Sequence, residues 1–274
     1  MGVRDTRCYN CGALYPGLFG FAPVFRRLGE DLGFVNFTIG LCAVLYLACL
    51  LVGGIHNQGL LGFLGVSTSS SFLFGAAGAV PVLEYRRWWT VLSAGWLHGS
   101  ILHIFFNMYW LRILAPPVAR LYGAGRMVII YTIASVVGFT MSSVFPALFQ
   151  AFLGGLSKPI LFVMGAAGFT LGASAALMGL LGAMVYYGRR GGSTQISHWA
   201  WGYAVLFFVF GLVLHGVDNW AHLGGFVGGY VTARLLDPLK PERIDHLVAA
   251  LVCVVASVVA ILASIFTGLP YLSH

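Results

Sequence analysis

The chain has very little charge. Only 8% of its 274 residues are Asp, Glu, Lys or Arg, where an ordinary soluble domain has about 25%. So few charges cannot clothe a surface that faces water on all sides, which excludes a soluble fold. Acids are the scarcest. There are eight Asp and Glu residues, and none sits centrally in an apolar run. A proton-coupled transporter typically carries such a carboxylate within the membrane. Internal repeats, another transporter sign, are not evident. Cysteine is sparse too. Cys42, Cys49 and Cys253 lie inside apolar runs and Cys8 and Cys11 lie near the N-terminus, which is no disulfide framework. No cleavable signal peptide is evident, because about thirty polar and mixed residues precede the first apolar run.

What remains is apolar. The hydrophobic fraction is 59% and the mean hydropathy is +0.89. A bilayer core takes ~20 residues per helix. Seven segments qualify, near 34–55, 98–118, 126–147, 170–187, 200–216, 220–236 and 246–267. They predict an all-α polytopic membrane protein. The net charge of +7 is then no nucleic-acid footprint but a report on orientation. With the N-terminus inside, Arg4, Arg7, Arg26, Arg27, Arg112, Arg120, Arg126, Arg189, Arg190, Arg234, Lys240 and Arg243 fall on the inner side. Only Arg86, Arg87 and Lys158 fall outside. The bias predicts N-in and C-out, so that segments two, four and six run from outside to inside.

That orientation puts three polar clusters at one depth. They are His103 with Asn107 on segment two, Ser174 on segment four and His222 on segment six. Polar groups within a bilayer are costly and mark function by default. Serine with histidine is the smallest set for nucleophilic catalysis. His103 and Asn107 are four residues apart and share a helix face, where their N–H groups can hold a developing oxyanion. Each residue has a plainer reading. A membrane Ser often bonds a carbonyl of its own helix. A membrane His serves equally as a proton relay, a metal ligand or a tie between helices. Gly172, Gly179, Gly225 and Gly229 are small residues that let segments four and six approach closely. Asp218, four residues before His222, reads as a solvated charge on the outer rim. The long first outer loop carries Arg86, Arg87, Trp88 and Trp89, a composition suited to the membrane interface. Phe207, Phe208 and Phe210 line a face of segment five that suits a lateral gate or plain lipid contact.

HxxxN at His103–Asn107, GxS at Gly172–Ser174 and HxxGxxxG at His222–Gly229, in this order and spacing, resemble the rhomboid family of intramembrane proteases over about residues 70–236. The resemblance implies a six-helix core at 34–236, with a seventh helix within 237–274. It implies a Ser174–His222 dyad, and an oxyanion hole formed by His103, Asn107 and the Ser174 backbone N–H. Arg87 would belong to the family's membrane-embedded first loop. The substrates implied are single-pass membrane proteins, reached from the outer side of a plasma membrane. Ala175 stands where the family usually has Gly, which sets a methyl beside the oxyanion position. Met178 stands where an aromatic ring often packs on the catalytic His. A client-binding relative without activity is the alternative. No cofactor is implied. Segment 1–33 lies outside the resemblance, and its Cys8-x-x-Cys11 is half of a zinc site, needing two further ligands.

Overall fold

The computed structural model describes Arg7 and residues 29–59, 62–165, 168–214 and 216–271. Cys8 and Cys11 lie outside the described residues. The chain runs through α1 (Phe34–Gly53), a hairpin of β1 (His56–Gln58) and β2 (Gly62–Gly65), α2 (Thr68–Phe74), α3 (Thr90–Ser93), α4 (Ile101–Tyr122), α5 (Ala124–Leu153), α6 (Lys158–Met164), α7 (Ser174–Gly191), α8 (Thr194–Val213), α9 (Asn219–Leu235) and α10 (Ile244–Gly268). The fold is mostly helical, and the antiparallel hairpin corrects the all-α expectation. It follows the C-terminal end of α1, whose Tyr46 hydroxyl donates to the Leu64 carbonyl.

Among the described residues, five helices are long and apolar enough to cross a membrane: α1, α4, α5, α8 and α10. The protein is therefore an integral multi-pass membrane protein. The remaining two expected segments are α7, of 18 residues, and α9, of 17. Both are glycine-rich, and both pack at the centre against α5. α8 lies outside α7, and α10 packs along α5 and the short helices of the first loop. Two helices run past their expected ends. The third segment, expected at 126–147, is helical from Ala124 to Leu153. The fifth, expected at 200–216, begins at Thr194, because Thr194, Gln195, Ser197 and His198 join the helix. Hydropathy registers only the apolar middle of a helix.

Two buried arginines hold the loops. Arg126, at the start of α5, counts toward the inner charge bias but is fully buried. Its guanidinium donates to the carbonyls of Leu236, Asp237 and Lys240 at 2.7–3.1 Å and to His246 Nδ1 at 3.3 Å. It therefore pins the turn between α9 and α10. Arg87 does the same in the first loop. It is 2% exposed. Nη1 donates to the Phe72 carbonyl (2.7 Å) and Nη2 to the Ser264 carbonyl of α10 (2.6 Å). The guanidinium also lies over the Phe72 ring. Trp89 adds an indole bond to Ser264 Oγ, whereas Trp88 and Arg86 are exposed. A buried guanidinium is tolerated only when its donors are met. Both arginines meet backbone carbonyls.

Candidate active site

Ser174 is the first residue of α7. Its backbone N–H is among the first-turn amides that an α-helix leaves unpaired, at the positive end of the helix dipole. The segment leading to it is fixed from two sides. Ala77 of the first loop pairs with Thr170 through two backbone bonds (2.8 and 2.9 Å). Gly172 N–H donates to the Ala94 carbonyl (3.0 Å).

Gly172 adopts φ +126°, and a Cβ built on it would stand 2.6 Å from His103 Nε2. Glycine here meets both needs: a conformation closed to other residues and room for the imidazole. The ring's orientation also fixes its tautomer. Gly99 N–H donates to His103 Nδ1 at 3.3 Å, so a neutral imidazole carries its proton on Nε2. That N–H stands beside the approach to Ser174. One turn along α4, Asn107 is buried and its Nδ2 donates to the His103 carbonyl (2.8 Å). Its second amide hydrogen has no partner among the described residues. His98 sets its ring edge-on to His103, with centroids 5.2 Å apart.

His222 lies on α9, one turn outward from Gly225. The two central helices meet backbone to backbone. A Cβ on Gly225 would collide with the Ala175 carbonyl, and one on Gly229 with the Gly179 backbone. A Cβ on Gly179 would stand 3.0 Å from the Gly225 carbonyl oxygen. Ser174 precedes Ala175, and His222 is three residues before Gly225, so both lie toward the N-terminal ends of the crossing helices. Gly179, Gly225 and Gly229 lie at this crossing, whereas Gly172 packs against His103.

Gly138 of α5 was not legible as a site residue. A Cβ there would stand 2.6 Å from the Ala221 carbonyl and 2.8 Å from Ala175 Cβ. The Ala175 methyl therefore points under Gly138 into a small cluster with Ala77, Ala94, Phe139 and Ala221. Met178 joins the main core.

Asp218 also departs from expectation. It caps α9, accepting from Ala221 N–H (3.0 Å) and from the Ser142 hydroxyl of α5. Burial raises its carboxyl above the ordinary range, against the lowering by these bonds. His222 Nδ1 is buried with no partner among the described residues. The carboxylate closest in sequence is thus engaged elsewhere, and no triad forms through Asp218.

Residues 85–238, more than half of the chain, match the family model described as "Rhomboid domain". The chain belongs to the rhomboid family. It is 28% identical over 215 residues to "Rhomboid protease GluP" of Bacillus subtilis, covering 77% of this chain and 38% of that protein. It is 29% identical over 185 residues to "RHOMBOID-like protein 6, mitochondrial" of Arabidopsis thaliana, covering 64% and 52%. A third relative is "Inactive RHOMBOID-like protein 8" of Arabidopsis thaliana, 25% identical over 169 residues, covering 60% and 42%. This rhomboid spans about half or less of the length of these relatives. One of these relatives is named a protease and one is named inactive, so membership alone does not decide activity.

Proposed function

We propose that this rhomboid is an intramembrane serine endopeptidase that works by a Ser174–His222 dyad. What supports this reading is the close α7–α9 crossing, with Ser174 and His222 both near the N-terminal ends of their helices and His103 Nε2 beside Gly172. Both reacting side chains are present, and so are donors for the oxyanion. In this reading α7 and α9 span with the other five helices, the N-terminus is inside, and the site opens outward.

His222 takes the Ser174 hydroxyl proton as Oγ attacks a peptide carbonyl. The carbonyl oxygen becomes an oxyanion, held by the Ser174 N–H, His103 Nε2–H and the free Asn107 amide hydrogen. His222 then delivers its proton to the leaving amine, and the acyl-enzyme forms. Water, deprotonated by His222, attacks that ester and restores the hydroxyl. Two groups suffice here, because the unpartnered Nδ1 of His222 needs only correct orientation, which burial among packed helices supplies. The substrate is a single-pass membrane protein whose helix unwinds near its outer end, since a helical peptide bond is internally hydrogen-bonded. Helix-breaking residues there promote cleavage.

A fluorophosphonate probe tests the nucleophile without a known substrate. Labelling at Ser174, located by mass spectrometry and lost in His222→Ala, is expected. A folded wild type that takes no label favours the client-binding alternative.

A further inference from the structure

At the far end of α7, about 27 Å from Ser174 by helical rise, the turn into α8 encloses a cleft of about 360 Å³. Arg189, Thr194, Ser197, His198 and Trp201 contribute to its lining, which contains no acid. Ser197 is only 8% exposed, yet its hydroxyl has no hydrogen-bond partner among the described residues. Gly188 makes the close approach possible, since a Cβ there would stand 2.7 Å from Ser197 N. No side chain caps the start of α8, so its first-turn amides lack a side-chain partner there, at the positive end of the helix dipole. Arg189 is exposed and meets only Tyr230, by a 3.5 Å bond to the hydroxyl and by its ring. Its charge has no carboxylate partner among the described residues.

A buried hydroxyl, uncapped amides and an unpaired guanidinium are the donors a phosphate requires. What lies beside them narrows the source. His198, Trp201, Val205 and Val209 recur at helical spacing on one face of α8. Trp201 rests on Phe226 of α9, and Val205 and Val209 are about half exposed. The face thus passes from polar, through an aromatic ring of the kind found at membrane interfaces, to bare aliphatic surface. A free anion has no use for that strip; an acyl chain does. We infer that the cleft binds the phosphate of an anionic phospholipid, whose chains lie along Trp201, Val205 and Val209. The site does not depend on the catalytic reading.

The test is calorimetric titration of the full chain in neutral detergent with dihexanoyl phosphatidylglycerol, dihexanoyl phosphatidylcholine and inorganic phosphate. Phosphatidylglycerol should bind more tightly than either. Arg189→Ala should weaken it about fivefold, the usual effect of one cation near a lipid surface. Ser197→Ala should also weaken it. Arg190→Ala, which removes the neighbouring exposed charge, should leave it unchanged. Equal losses in Arg189→Ala and Arg190→Ala would mean diffuse attraction and overturn the site. Inorganic phosphate binding as tightly as phosphatidylglycerol would overturn the lipid assignment. Should Arg189→Ala fail to fold, Ser197→Ala decides, and an unchanged affinity there overturns the proposal.

Discussion

The central helix α9 and the final helix α10 meet the same membrane in opposite ways. Ten of the 17 residues of α9 are buried, against six of 25 in α10. α9 buries glycines, and its neighbours touch its backbone. α10 turns Val248, Leu251, Val252, Val255, Val259, Leu262 and Phe266 outward and holds the protein through small residues such as Ser257, Ala260 and Ser264. Lipid tails are as apolar as Leu, so an outward-facing helix needs only hydrophobicity. A central helix needs close approach, which favours Gly, Ala and Ser. Candidate chemistry therefore sits on the helices that look least like membrane spans.

Breaking the close approach should have the largest effect. Gly229→Val drives two methyl groups into the Gly179 backbone, which cannot yield. A loss of about 3 kcal/mol or more is expected, read as a lower thermal midpoint in micelles with parallel loss of fluorophosphonate labelling. The first loop comes next. Arg87→Ala removes two charge-assisted bonds that tie the Phe72 carbonyl to that of Ser264 and should cost about 2–3 kcal/mol, with faster proteolysis within residues 56–97. A smaller change probes the seat of the Ala175 methyl. Ala175→Gly empties the space under Gly138 and should cost about 1 kcal/mol, with the rate nearly unchanged. A large rise in rate would instead place the methyl beside the oxyanion. Smallest of all, Val252→Ala on the exposed face of α10 should shift stability by under about 0.5 kcal/mol.

The same contrast explains what could be read from sequence. Hydropathy located the outward-facing helices, because lipid contact is a property of composition. Motif order and spacing singled out Ser174, His222, His103 and Asn107 as the candidate site. Three features were not legible. Gly138 lies in an apolar run like any other, and its role appears only when Ala175 and Ala221 arrive from distant helices. Arg126 looked like a surface charge, since sequence shows the charge but not the carbonyls of the α9–α10 turn that meet it. Asp218 looked solvated because its partner Ser142 is 76 residues away. Each miss is a long-range contact that local pattern does not encode.

The central claim is that Ser174 and His222 act together as a protease. Purified full chain in liposomes should be given a tagged single-pass membrane protein with helix-breaking residues near its outer end, beside folded Ser174→Ala and His222→Ala. The account predicts a defined product from the wild type and a loss of at least about 10³-fold in either variant. Equal product from all three would contradict it.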